Sequence, residues 1–306
     1  VELFTIWKLF RLYQREKPDL VHHFTIKCVL YGSFAAKLAG VRGVINSVTG
    51  LGYVFAEGNV LRSMLKALVI QLYRIALRNT AIIFQNTADR DVFLNYRLIT
   101  PDQAVVIHGS GVDMDRFAPQ GVGESTPPLI VFPGRVLWDK GVGEFVEAAR
   151  QLRSQGVSAR FVIVGGPDDG NPSSLTDTQV REWEKEGIVE WWGWREDMQN
   201  VFAQASIVCL PTYYEGLPKV LIEAASCACP IVATDIPGCR QVVKHGVNGL
   251  LVPIKDPGAV ARVLIELLSS VEQRRAMGRQ GRDLVMNNFS EEHVVFATLQ
   301  VYDLVT

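Results

Sequence analysis

The stretch "SIVCLPTYYEGLPKVLIEAASCACPIVATDI", Ser206–Ile236, reads as a strand, a loop, a helix and a second strand. Its two flanking runs are short, apolar and rich in β-branched residues, as in strands buried on both faces. Between them, Lys219 to Cys227 has a helical pattern, so the unit is βαβ and its sheet is parallel. Pro218 suits the first turn of that helix, where a missing N–H costs nothing, and Gly216 permits close backbone approach. Glu215 falls just outside the helix and Glu223 more than a turn inside it.

Working outward, the same alternation covers the chain. Strands are expected at "DLVHHF" (19–24), "GVINSVT" (43–49), "AIIFQN" (81–86) and "AVVIHGS" (104–110), and then at "PLIVFPGR", "RFVIVGG", "IVEWWG", "SIVCLPT", "PIVATDI" and "GLLVPI". Helices fit Val142–Gln155, Met198–Ala205, Pro257–Ser269 and Gln273–Asn287, with a last one from Glu291. The Gly-, Pro- and Ser-rich stretch "FAPQGVGESTPP", Phe117–Pro128, reads as a linker. The pattern predicts an α/β protein of two Rossmann-like, doubly wound domains, 1–117 and 118–289, with residues 290–306 as a helix returning to the first. The chain opens on Val1 directly into an amphipathic helix pattern, so the first domain is expected to lack its natural N-terminal beginning.

The bulk numbers exclude several classes. A net charge of −1 gives no reason to expect nucleic acid. Residues 1–117 nevertheless hold fourteen Lys/Arg against nine Asp/Glu, a net of +5, which leaves −6 for the remainder. Such a basic first half suits an anionic membrane, a phosphorylated substrate or a chance imbalance of solvated faces. Five cysteines, mostly in apolar segments, read as buried thiols in a reducing compartment. No metal-ligand spacing, secretory signal or membrane-spanning run is legible.

Two loops carry the chemistry. In "FPGRVLWDKG", Gly134 turns the chain after a strand, and Arg135 and Lys140 place a guanidinium and an ammonium at the sheet's carboxyl edge, a pair suited to a diphosphate. In the opening stretch, the helix start offers N–H groups and a positive dipole end to an anion. Glu215, beside that anion, would meet hydroxyls or positive charge developing on a sugar ring, and Glu223 another part of the same ligand. Taken singly, each of these residues also fits a dipole-favoured or solvated surface role.

Together the motifs resemble retaining glycosyltransferases of family 4, with the two-domain GT-B architecture. "EGLPKVLIEA" is similar to their glutamate-x7-glutamate motif, "FPGRVLWDKG" to their glycine-arginine and lysine-glycine element, and "HGVNGLLVP" (245–253) to a late G-x-x-G-x-L-V segment. "IHGSGVDMDRF" resembles their interdomain segment, with His108 departing from the usual start. The resemblance implies transfer of a sugar from a nucleotide-diphosphate donor, UDP favoured, with Arg135 and Lys140 on the diphosphate. It further implies backbone contacts from Gly216, Leu217 and Pro218, sugar contacts from Glu215 and ribose contacts from Glu223. No cofactor or metal is expected. Arg195, in "GWREDM", is a candidate beside the base or a solvated loop residue, while Trp191, Trp192 and Trp194 are expected to pack on a strand.

The first domain is similar to a subgroup acting on polyprenyl-diphosphate-linked saccharides in bacterial glycan assembly. Its acceptor-side candidates are His22, His23, Lys27, Thr49, Gly50 and Gly52. For the histidines a hydrogen-bonded core role stays open, and for Lys27 simple exposure at a helix start. Thr49 stands where many relatives have a histidine. "NVLRSMLKALVIQLYRIALRN" reads either as a basic amphipathic helix on a membrane surface or as a core-packing helix. The expected location is cytoplasmic and peripheral to the membrane. The alternative to a transferase is a nucleotide-sugar-binding protein without catalysis; a nicotinamide-dependent dehydrogenase is disfavoured because "VIVGGPDDG" is no G-x-G-x-x-G turn.

Overall fold

The computed structural model describes residues 2–50, 60–121 and 125–305, with only the backbone described for 60–63. Gly52 lies outside the described residues, as do the side chains of Leu61 and Arg62. Contacts divide the chain into two units, Val1–Gly109 with Glu292–Thr306, and Ser110–Glu291. Residues 110–117, expected with the first unit, belong to the second because Val112 and Phe117 are buried in its core.

The second unit contains β5 (Leu129–Pro133), α5 (Val142–Ser154), β6 (Arg160–Val164), α6 (Asp177–Lys185), β7 (Glu190–Gly193), α7 (Met198–Gln204) and β8 (Ile207–Leu210). It continues through α8 (Lys219–Ser226), β9 (Ile231–Thr234), α9 (Pro237–Val242), β10 (Gly249–Val252), α10 (Pro257–Leu268) and α11 (Val271–Asn288). Its six strands are all parallel in the order β10-β9-β8-β5-β6-β7. Every residue of β5, β8 and β9 is buried, which is why these strands are continuous Val/Ile/Leu runs without alternation. Side-chain caps from Thr176, Asp256 and Ser270 start α6, α10 and α11. Helix α6 went unforeseen because its sequence is polar and only Val180 is buried.

The sheet order contains the feature that positions the site. Strand β5 runs to β6 and β7 on one side, and the chain then crosses to β8, which pairs with β5 on the other. The loops leaving β5 and β8 therefore stand at a topological switch point, the place where doubly wound sheets take ligands.

The first unit has α1 (Glu2–Glu16), β1 (Leu20–Phe24), α2 (Ile26–Ala39), β2 (Gly43–Val48), α3 (Val60–Ala76), β3 (Ala81–Phe84), α4 (Thr87–Asn95) and β4 (Ala104–Val106). Its described strands form a parallel sheet in sequence order, β1-β2-β3-β4. The last helix, α12 (Glu291–Val305), places Val294 and Val301 against Ile45, Ile83 and Ile107. Helix α3 has one face packed in the core and one exposed. Ile70, Tyr73 and Ala76 are buried in the core, while Met64, Leu65, Leu68 and Ile75 are exposed. Among the described residues no helix is long and apolar enough to cross a membrane.

Candidate active site

The β5–α5 loop carries Arg135 at its start and Lys140 at its end, the latter in a single 3-10 turn, Trp138–Lys140. Gly141 ends that turn at φ 76°, a left-handed conformation. A Cβ there would lie 2.0 Å from the Pro211 carbonyl oxygen, so only glycine lets this loop meet the one after β8. The two are then joined by hydrogen bonds. The Tyr213 amide donates to the Asp139 carbonyl at 2.8 Å, the Thr212 hydroxyl donates to the same oxygen, and the Tyr213 phenol donates to Glu144 at 2.6 Å.

This joining brings Lys140 against Glu215. Their side chains form an ion pair, 17% and 18% exposed, between residues 75 positions apart in sequence. The sequence had assigned the cation to a diphosphate and the carboxylate to a sugar; the structure makes them direct partners. A second close approach holds Glu215 from below, since a Cβ on Gly238, at the start of α9, would lie 2.1 Å from the Glu215 carbonyl oxygen.

Arg135 has a different partner. Its Nη1 donates to Asp168 in the loop after β6, at 2.5 Å. That loop is fastened to the β5 loop by Gly134 N–H to Val164 O and Val136 N–H to Gly166 O. It approaches so closely that a Cβ on Gly165 would lie 1.9 Å from the Gly134 oxygen. Asp168 is held below the usual carboxylate range by a hydrogen bond from Asn171 and then by Arg135.

Pro218 is the N-cap of α8, one position before the first turn expected for it, and Gly216 and Leu217 lead into it. Glu223 sits half-buried in α8; burial raises its carboxyl above the ordinary range, against the pull of Lys219 and Arg116. Arg195 is held by both oxygens of Asp197 at 2.7 Å, beside the start of α7. Trp191 and Trp192 pack on the sheet as expected, and the Trp191 indole donates to the Gly165 carbonyl at 2.8 Å. Trp194 does not pack there: it is 74% exposed, because the chain leaves the sheet at Gly193.

On the first unit, His23 is buried and His22 partly buried, and both rings are hydrogen-bonded within the unit. His22 is hydrogen-bonded to Tyr302 through Nδ1 and to Ser47 through Nε2, at 2.8 and 2.7 Å. His23 donates through Nδ1 to Asn46 and is bonded through Nε2 to Tyr13, each at 3.0 Å. Asn46 continues the network by accepting from Ser33 and donating to Thr80. All four ring nitrogens are thus engaged within the unit. Burial and then His23 push the His22 imidazole down from 6.5 to about 4, so it is neutral. Lys27 is exposed in the first turn of α2, 3.7 Å from Glu2. Thr49 and Gly50 follow β2 at its carboxyl end.

Asp168, Gly165, Gly238, Tyr213 and Glu144 were missed from sequence. The signals available were weak: a glycine pair after β6 and a Pro-Gly pair opening α9.

Residues 127–270 match the family model described as glycosyl transferases group 1, and residues 1–87 match that described as glycosyl transferase 4-like. Both domains of this chain are glycosyltransferase domains. All the donor-side candidates lie within the first match, and His22, His23, Lys27, Thr49 and Gly50 within the second. Curated relatives match more than nine-tenths of the chain. One is the N,N'-diacetylbacillosaminyl-diphospho-undecaprenol alpha-1,3-N-acetylgalactosaminyltransferase of Campylobacter jejuni, 26% identical over 94% of this chain and 77% of the relative. Another is the UDP-Gal:alpha-D-GlcNAc-diphosphoundecaprenol alpha-1,3-galactosyltransferase of Escherichia coli, 26% identical over 92% and 74%. The solved structure of Anabaena HepE in complex with UDP shares the fold, with a TM-score of 0.83 at 17% identity over 97% of this chain and 81% of that one. The architecture is GT-B.

Proposed function

We propose that the chain is a retaining glycosyltransferase that moves a sugar from a nucleotide-diphosphate donor, UDP-sugar favoured, to a hydroxyl of a polyprenyl-diphosphate-linked saccharide in bacterial surface glycan synthesis. The observation that carries this reading is the Lys140–Glu215 ion pair between the two loops at the switch point of the second sheet, with Arg135 on the first of those loops. The lipid-linked substrates in the names of the Campylobacter and Escherichia relatives, and the UDP in the HepE structure, support the substrate classes.

In this reading Arg135 and Lys140 offset the charge that collects on the departing nucleoside diphosphate, the task that fixed cations do best in a partly dehydrated site. Lys140 exchanges part of its contact with Glu215 for a phosphate oxygen, and the carboxylate so released accepts hydrogen bonds from donor-sugar hydroxyls. Glu223, half-buried in α8, takes the ribose hydroxyls. The leaving phosphate receives the acceptor's proton on the same face, so retention needs no covalent intermediate on Glu215. Charge neutralisation by the two side chains makes the reaction independent of added metal. Thr49, Gly50 and Lys27 line the acceptor side, and the exposed apolar and basic face of α3 rests on the inner membrane surface.

The test is transfer of radiolabelled sugar from UDP-sugars to polyprenyl-diphosphate saccharides, with chelator present. Activity in the wild type, lost in Arg135→Ala and in Glu215→Gln with folding intact, is expected. UDP binding with no turnover of any UDP-sugar would instead favour the non-catalytic binding protein.

A further inference from the structure

Asp168 is not a loosely solvated surface acid. Its backbone N–H donates to the Ser174 hydroxyl at 2.9 Å, its Oδ2 accepts from the Asn171 amide at 3.1 Å, and its carbonyl accepts from the Asn171 backbone at 3.0 Å. The turn that carries it is tied at its far end as well. The Trp138 N–H donates to the Ser173 carbonyl, the Asp139 N–H to the Ser173 hydroxyl, and the Leu175 N–H to the Val136 carbonyl. Residues 168–175 are therefore braced against the same loop that carries Arg135 and Lys140.

Arg135 gives Asp168 only one of its five N–H groups, Nη1, and its side chain is 52% exposed. A long side chain with such exposure would otherwise sample many rotamers, and ordering it would be charged against ligand binding. Fastened at one nitrogen to a braced carboxylate, it keeps the rest of its planar fork open to phosphate oxygens. The carboxylate stays ionised at any pH used for binding, because its proton affinity is held down by Asn171 and Arg135.

We propose that Asp168 is a positioning residue that sets the guanidinium of Arg135 for the diphosphate of the donor. This rests on the donor-site reading above, and it assigns to the turn 168–175 a part in donor capture that neither recognised motif contains. Asp168 acts through Arg135 and does not itself touch the nucleotide.

The experiment is a double-mutant cycle on the whole chain, titrating UDP into wild type, Asp168→Asn, Arg135→Ala and the double variant, with thermal melts to check folding. Asp168→Asn is expected to weaken UDP binding roughly fivefold, the scale of an exposed ion pair. In the Arg135→Ala background the same substitution should change nothing. Asn171→Ala should act in the same direction, more weakly, and again only when Arg135 is present. Uridine, which has no phosphate, should bind all four proteins alike. An equal loss in both backgrounds would show a merely structural role and overturn the proposal, as would tighter UDP binding by Asp168→Asn, which would make Asp168 a competitor of the phosphates. A wild-type chain that binds none of UDP, GDP or ADP overturns the donor-site reading, and this role with it.

Discussion

Lys140 and Glu215 are each under a fifth exposed and each is the other's neutraliser. Removing one charge strands the other in a partly dehydrated place, whereas removing both leaves nothing to solvate. Lys140→Met is therefore expected to destabilise the second unit by about 1–3 kcal/mol, seen as a lower melting temperature. Lys140→Met/Glu215→Gln should recover most of that stability, yet neither variant should transfer sugar. Full activity in the double variant would refute a role for this pair in the reaction. Both residues were site candidates from the motifs around them. Their pairing was not legible there, since it depends on Gly141 admitting the Pro211 carbonyl between residues far apart in sequence.

Elements position these residues by close backbone contact, and glycine makes each contact possible. Helix α9 is only six residues long, yet its Gly238 lies under the Glu215 carbonyl. In Gly238→Ala a Cβ 2.1 Å from that oxygen must push the loop or the helix aside. Displacements of this size misplace a reacting group, so kcat/KM is expected to fall about tenfold or more, with the melting temperature changed much less. Unchanged kinetics in a folded variant would show that the loop adjusts freely. On the first unit, Gly32 of α2 makes comparable room for the His23 ring, which a Cβ would approach to 2.3 Å. Gly32→Ala is expected to disrupt the Tyr13–His23–Asn46 network and destabilise that unit by about 1–3 kcal/mol, measurable by denaturant titration.

Across the molecule, charge and protonation differ between the two units. The proton affinity of His22 is lower in the folded state, about 4 against 6.5, so below pH 6.5 the unfolded chain takes up a proton that the folded one refuses. The contribution of His22 is thus intact above 6.5 and is progressively lost as the pH falls towards 4. Burial depresses His23 as well, which adds in the same direction. Acidification from pH 7 to 5 is expected to lower the stability of the first unit by on the order of 2 kcal/mol, with a smaller drop in His22→Asn. Residues 1–117 carry the net +5, and α3 exposes Leu65, Leu68 and Ile75 near Arg74 and Arg78. Anionic vesicles should accordingly sediment the chain at low salt and release it as screening increases. Retention on neutral vesicles alone would assign the contact to the apolar residues without the charges.

By itself the sequence determined the alternation of buried strands with helices and singled out the two candidate loops. Apolar runs buried on both faces, such as "LIVFP" and "IVCL", leave no other use for their residues, and the two loop motifs are local in the chain. It also foresaw both uses of the histidines without choosing between them. The partners of the two rings, Ser47, Asn46, Tyr13 and Tyr302, arrive from three other elements, which no local pattern encodes. The membership of residues 110–117 was likewise decided by packing, where Val112 and Phe117 found a core to fill. The tertiary structure alone placed Asp168 beside Arg135 and Gly238 beneath Glu215. Hydrogen bonds and close backbone approaches between loops depend on which strands are neighbours in the sheet, and strand order is a property of the folded whole.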